Sequence, residues 1–220
     1  MVTPKRLEGT HRQDVVQFLK GDANVGIELG VAAGLFSARM MESGHFSRFF
    51  GVDMYADKHD TAEYKTALRA VGLFKPYTLL RMRFEDALDL FEDETFDFIY
   101  VDGYAHSGEE GGETIMDWYA KLKVGGVMAG DDYDPNWPLV QAAVHHLIAQ
   151  TGTELMVTDQ VEDNTYSRYP TWLTIKDRPL DVEADPDLVR RGKAVNEKRS
   201  RDRRFRRPVN ALLKRVGLKV

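Results

Sequence analysis

Residues Ile27–Met41 read IELGVAAGLFSARMM, and the reading of this stretch decides the fold. The apolar run Val25–Leu29 has the length and character of a buried strand, and it stops at Gly30. From Gly34 onward, GLFSARMMESG has helical spacing, with Leu35, Met40 and Met41 expected on its inner face. A strand needs no glycine, and a helix is weakened by one. Gly30 and Gly34 therefore mark either a tight strand-to-helix turn or a turn at which a ligand comes close to the backbone.

The alternation continues outward. Strand-like RFFGVD (Arg48–Asp53), YTLLRM, FDFIYVD (Phe96–Asp102) and GVMAGDD are separated by helix-like TAEYKTALRAVGL, FEDALDLF and GGETIMDWYAKLK, the last stopped by Gly125-Gly126. In the first of these helices Tyr64, Leu68 and Val71 fall on one side. WPLVQAAVHHLIAQTG is a further helix, with Pro138 in its first turn and Gly152 after it. Two last strands, TELMVTD and PTWLTIKD, are joined by a polar loop, Gln160–Arg168, that could cover a ligand. Five strands alternating with helices predict an α/β fold with a parallel sheet and helices on both faces. Two final strands with no helix between them predict an antiparallel hairpin at one edge, seven strands in all. The expected organisation is a helical lead-in over 1–24, one folded domain over 25–180 and a tail over 181–220.

Composition narrows the classes. The 220 residues are 43% hydrophobic and 30% charged, an ordinary globular balance, and contain no cysteine, so disulfides and thiolate metal sites are excluded. No run approaches the roughly 20 apolar residues that span a bilayer, and the first residues lack the apolar core of a secretion signal. A cytoplasmic protein is expected. The net charge of −5 hides an asymmetry: positions 186–220 hold 13 Lys and Arg against 3 Asp and Glu, a net +10, which leaves 17 basic and 32 acidic residues, a net −15, on the remainder. Such a tail can seek phosphates, lie on the acidic body, or attach the protein peripherally to an anionic inner membrane surface. An acidic body argues against a broad nucleic-acid groove.

In an open parallel sheet, ligands sit at the carboxyl ends of the strands. Gly30 and Gly34 lie at the end of the first strand, and Glu28 beside them, at the loop mouth, would repel a pyrophosphate while attracting a cation or accepting hydrogen bonds. Asp53 ends the second strand 23 residues after Gly30, where an acid can accept ribose hydroxyls. A ribose handle beside a negative first loop suits S-adenosylmethionine, which carries a ribose, an ammonium and a sulfonium and no phosphate. Met54 or Tyr55, and Phe84, Glu85, Arg81 and Arg83 after the third strand, are candidate neighbours of an adenine. Asp102, Asp131 and Asp132 end the fourth and fifth strands. Three converging carboxylates repel one another unless a cation joins them, and a hard cation such as Mg²⁺ would suit oxygen ligands; capping and turn roles are the alternative. His106, on the loop after Asp102, is a candidate general base, as is Asp102 itself; a substrate hydrogen bond, a metal contact or an exposed loop position would equally place a histidine there. Tyr104, Tyr133 and Trp137 flank the same mouth. His11, His45 and His59 have no supporting neighbours, and His145 and His146 lie within a helix.

ELGVAAG resembles the E/D-x-G-x-x-x-G signature of class I S-adenosylmethionine-dependent methyltransferases, and GVD at the second strand end is similar to their acidic ribose position. The resemblance runs from Val25 to Asp177, terminal hairpin included, and implies a Rossmann-like sandwich with Glu28, Gly30, Gly34, Asp53, Met54, Phe84, Glu85 and Asp102 around the cofactor. VDGYAHSGEEGG and WYAKLKVGGVMAGDDY resemble the metal-dependent sugar and macrolide O-methyltransferase branch and its relatives near bacterial polysaccharide genes, which implies Mg²⁺ on Asp102, Asp131 and Asp132. Many relatives read D-G-x-H-S-Y; this chain has one more residue before His106. The expected activity is O-methylation of a hydroxylated small molecule, such as a sugar or polysaccharide precursor. A homo-oligomer is compatible with this. A nucleic-acid methyltransferase using the tail, a non-catalytic cofactor-fold protein and a nicotinamide enzyme are the alternatives.

Overall fold

The computed structural model describes residues 2–56, 60–162 and 167–215, with side chains described up to 202. His59, four residues of the polar loop after Gln160 and the last five residues lie outside the described residues. The sheet is built from β1 (Lys5–Leu7), β2 (Asn24–Leu29), β3 (Phe46–Val52), β4 (Tyr77–Leu80), β5 (Phe96–Val101), β6 (Leu122–Gly130), β7 (Met156–Thr158) and β8 (Trp172–Ile175). Their order is β1-β7-β8-β6-β5-β2-β3-β4. All pairs are parallel except those of β8, which runs antiparallel to both β6 and β7.

The expected α/β fold, with a mostly parallel sheet and a terminal antiparallel pair, is present, with eight strands rather than seven. The added strand is β1, in the segment expected to be helical. Its three residues are too few and too polar to announce a strand, and they are held only because β7 offers an open edge. A 3-10 helix, Arg12–Phe18, follows it.

Side chains alternate across the central strands, as the pleat requires. Ile27, Leu29, Ile99, Val101 and Met128 enter one core with Trp118, Val140 and Leu147, from α5 (Glu113–Tyr119) and α6 (Pro138–Thr151). Phe49, Phe98, Tyr100, Val127 and Leu173 enter the other, with Phe36 and Met40 of α1 (Leu35–Glu42) and Val71 of α2 (Thr61–Val71). Each fully buried side chain of this size contributes about 1.5–3 kcal/mol. In α1 the inner face is Phe36, Ser37, Met40 and Met41; Leu35 is exposed, as is Leu68 in α2, where Ala67 takes the inward position. Met40, Met41 and Val71 are inside, as helical spacing predicts, while Phe36 and Ala67 take the places expected for their neighbours Leu35 and Leu68.

Two short elements flank the site: α3 (Phe84–Leu88) and α4 (Gly108–Gly111), the latter preceded by a 3-10 turn, Ala105–Ser107. β6 starts at Leu122, before the glycine pair read as ending a helix. The basic segment forms α7 (Pro186–Arg215), and its first turns pack onto the body. Leu188 is buried, and a Cβ on Gly192 would lie 2.5 Å from the Gly111 backbone nitrogen and 2.7 Å from the Ser107 carbonyl oxygen, so the two backbones touch. Lys193 pairs with Glu113 at 2.9 Å, and the Asn196 amide donates to Glu110 at 2.7 Å.

Candidate active site

Register brings the predicted residues together. Leu29 lies opposite Val52 and Val101, and Val101 opposite Gly130. The next residue of each strand, Gly30, Asp53, Asp102 and Asp131, therefore falls on one rim of the sheet.

Gly30 has φ 101°, and a Cβ there would meet the Asp102 carbonyl oxygen at 2.4 Å. The turn is tied by Asp53, whose Oδ2 accepts from the backbone N–H groups of Val31 (3.1 Å) and Ala32 (3.0 Å), while Oδ1 accepts from Tyr55 N–H (3.0 Å). Tyr55, a candidate adenine neighbour, is buried and donates its hydroxyl to the Ala32 carbonyl at 2.8 Å. Arg81 donates to the carbonyl of Tyr55 at 3.0 Å, bracing the loop from outside.

A cavity of about 240 Å³ opens on this rim. Gly30, Asp53 and Met54 form one side, Arg83 and Phe84 another, and Asp102, Tyr104, His106, Asp132 and Trp137 the rest. Of the cofactor candidates, Gly30, Asp53, Met54, Phe84 and Asp102 line it. Gly34 does not: it starts α1 with φ 81°, facing the Ala67 backbone of α2. Glu85 also lies elsewhere, in an exposed ion pair with Arg83. Glu28 is fully buried rather than at a loop mouth; it accepts a short hydrogen bond from Ser37, whose hydroxyl also meets Tyr77 Oη at 2.9 Å. Burial, then the nearby Asp102, hold its carboxyl well above the usual range, against the pull of Ser37 and Arg12. It faces a second recess of about 180 Å³, shared with Arg12, Phe36 and Asp102. Tyr133 is buried, its hydroxyl 2.7 Å from His145 Nε2, and His146 Nε2 lies 2.9 Å from the Glu183 carbonyl, so both helix histidines have packing roles.

Arg12 was not singled out in the sequence. Its guanidinium is buried, Nη2 lying 2.6 Å from Asp102 Oδ2 and Nη1 3.2 Å from Asp131 Oδ2. The same group lies 4.7 Å from the Phe36 ring centroid and 5.1 Å from that of Tyr100. Burial opposes its charge, but the surrounding Tyr100, Asp102 and Asp131 keep it firmly protonated. The Asp131 carboxyl is raised by burial; Arg12 pulls it down, while Asp102 and Asp132 add to the rise. Asp102, Asp131 and Asp132 are thus not shown to form a magnesium triad. Two of the three close on a guanidinium, and among the described residues no group of three His, Asp or Glu side chains is placed to hold a metal ion. The converging acids did signal a cation; that it would be an arginine from beyond β1 is not written in any motif.

Glu109 was missed as well. It sits in a left-handed run, with positive φ from Gly108 through Gly112. It is buried, and its Oε2 has no hydrogen-bond partner. Burial, then Asp132, Asp102 and Asp131, push its carboxyl well above the ordinary 4.5. Non-glycine residues with positive φ collect on these loops: Ala32, Tyr55, Tyr104, Glu109, Glu110 and Asp132. Strain of this kind persists only where surrounding structure imposes it, and it gathers at functional sites. A carboxyl raised in the fold binds more protons there than in the unfolded chain, so stability falls as pH rises from about 4.5 towards the folded value. Glu109→Gln is accordingly expected to raise the melting temperature at pH 7.5, with the gain shrinking to nothing below pH 4.5; thermal melts across pH check this.

The family model described as Methyltransferase domain matches residues 25–133, the segment from β2 through the loop after β6. No curated protein matches the chain. Among solved structures, an O-methyltransferase from Bacillus cereus in complex with SAH is 18% identical, with 74% of this chain and 78% of that one covered at a TM-score of 0.55. An SAM-dependent O-methyltransferase from Thermotoga maritima is 16% identical over 80% of this chain and 69% of its own, with a TM-score of 0.56. An rRNA methylase from Streptococcus thermophilus is 15% identical over 76% and 94%, with a TM-score of 0.53. At such identities the likeness is one of fold. Residues 25–133, which build the glycine turn and the acidic strand ends, match a methyltransferase-domain model, and the fold they belong to is a Rossmann-like mixed sheet.

Proposed function

We propose that the protein is an S-adenosylmethionine-dependent O-methyltransferase acting on a hydroxylated small molecule of the sugar or polysaccharide-precursor class. The observation that carries this reading is the gathering of Gly30, Asp53 and Asp102 on one cavity. Asp53 ties the turn through three backbone N–H groups and also lines the cavity, where a carboxylate suits a ribose hydroxyl. Met54, Phe84 and Tyr104 supply apolar walls for an adenine, the last two with ring centroids 5.3 Å apart. The likeness to two O-methyltransferases, one of them holding SAH, supports the donor and the reaction class.

When bound, the donor supplies a methyl group on a positively charged sulfur. The acceptor oxygen attacks that carbon in line; the C–O bond forms as the C–S bond breaks, and its electron pair stays on sulfur. The chain's task is alignment and removal of the hydroxyl proton. Asp102 is held by Arg12, which leaves the proton to His106, the base in this reading. Arg12 supplies the fixed positive charge for which a divalent ion was expected. No helix among the described residues is long and apolar enough to cross a membrane, and the basic end of the chain suits peripheral contact with an anionic surface. Calorimetry with SAH and with NAD tests the reading. SAH is expected to bind, NAD is not, and Asp53→Ala is expected to weaken SAH by about tenfold or more, having lost both loop tie and ribose acceptor. Binding of NAD in place of SAH would overturn it.

A further inference from the structure

A second cavity, of about 640 Å³, adjoins the first and shares Ala105, His106, Trp137 and Arg199 with it. Its outer wall is α7. Arg191, Val195, Lys198, Arg199 and Asp202 all line it, at the spacing of one helical face. Two other cations of this helix are matched: Arg190 by Asp187 and Lys193 by Glu113. Arg191, Lys198 and Arg199 form no ion pair with any acid among the described residues, although the body around them is strongly acidic. The helix that carries them is fixed by the backbone contact of Gly192 with Gly111 and by the Asn196–Glu110 hydrogen bond, so their positions are set. On the wall common to both cavities, the Trp137 indole N–H is buried without a hydrogen-bond partner. Buried donors are nearly always satisfied, so an orphaned one on a ligand wall marks a place for an acceptor atom.

We propose that the second cavity is an acceptor subsite for a phosphate-type oxyanion. Arg191, Lys198 and Arg199 grip the anion, and the same molecule turns its hydroxyl towards His106 and the first cavity. The inference rests on the methyltransferase reading and adds a substrate class to it: a phosphorylated hydroxylated small molecule. Three positive charges converging with one acid, Asp202, are what an oxyanion requires. The net −15 of the remaining chain favours a small anion over a polynucleotide, whose backbone would meet the acidic body.

The test uses the full chain saturated with SAH and titrated with inorganic pyrophosphate, and separately with glucose 1-phosphate against glucose. Pyrophosphate is expected to bind, and glucose 1-phosphate to bind better than glucose. The double substitution Arg191→Glu, Lys198→Glu, at exposed positions away from the first cavity, is expected to weaken pyrophosphate by about tenfold or more with SAH affinity unchanged. Arg191→Gln, Lys198→Gln should give an intermediate loss. A protein that holds SAH yet ignores pyrophosphate, or binds it equally well in the double variant, would overturn the subsite while leaving the methyltransferase reading intact; failure of SAH itself would strike that reading instead. Binding of a single-stranded RNA 20-mer or of phosphatidylglycerol vesicles that the double variant abolishes, with no response to pyrophosphate, would assign these cations to a macromolecular surface and also overturn it.

Discussion

Arg12→Met is expected to cost about 3–5 kcal/mol of stability, because it leaves the largely buried Asp131 and the partly buried Asp102 facing each other without their shared cation. For a chain of this size that corresponds to a melting temperature lower by roughly 6–20 °C. The loss has a pH signature. Without the guanidinium the Asp131 carboxyl rises further above its ordinary 3.8, so the folded variant binds protons that the unfolded chain releases. The deficit is therefore expected to grow as pH rises above about 4 and to shrink as pH falls towards 3.8. Melts at pH 4.5 and pH 7.5 measure the difference. A variant equally stable at both, or as stable as the parent, would show that the acids do not depend on Arg12. The same geometry predicts that turnover of the parent protein survives EDTA, since the charge between Asp102 and Asp131 is covalently part of the chain; loss of activity restored by Mg²⁺ would contradict this.

Gly30→Ala is the second large effect. The new methyl would lie 2.4 Å from the Asp102 carbonyl oxygen, far inside contact distance, at a φ that L-residues avoid. Neither strand can give way easily, because Gly30 N–H donates to the Val52 carbonyl at 2.9 Å and Asp102 N–H to the Leu29 carbonyl at 2.8 Å. A cost of about 3 kcal/mol or more is expected, with SAH binding lost by roughly a hundredfold. Gly44→Ala is the control. Gly44 also has positive φ, 73°, but nothing lies within 4 Å of a Cβ there. It should lose only about 1–2 kcal/mol and bind SAH normally. Equal effects at the two positions would mean that backbone conformation alone, and not the approach of the β5 end, governs the turn.

What could be read from the chain was set by periodicity and by residues whose backbone needs are peculiar. The central strands announced themselves as apolar runs, and Gly30 announced a close approach that the Asp102 carbonyl indeed makes. Asp53 was placed correctly on the rim, but its engagement with Val31 and Ala32 depends on how the loop folds back, which no spacing encodes. Arg12 escaped because a lone arginine in a polar lead-in looks like any solvated one; only β1 docking on β7 carries it beneath the β5 and β6 ends. Glu109 escaped because nothing in GEEGG marks one of its acids for burial, whereas α7 and α6 pack against it. The charged composition of α7 similarly concealed Leu188 and Gly192, two inward positions in a segment dominated by Arg and Lys.

The pairing of β1 with β7 also has a consequence in time. Lys5 reaches its partner Met156 only after most of the chain has left the ribosome, and β7 itself is held by β8, made later still. Contacts so distant in sequence form slowly and late. Until they do, Arg12 is not delivered, and the nascent core must tolerate an unneutralised pair of aspartates at its heart. A segment made before every strand it joins is thus among the last to be installed, and the pocket's electrostatics mature only at the close of folding.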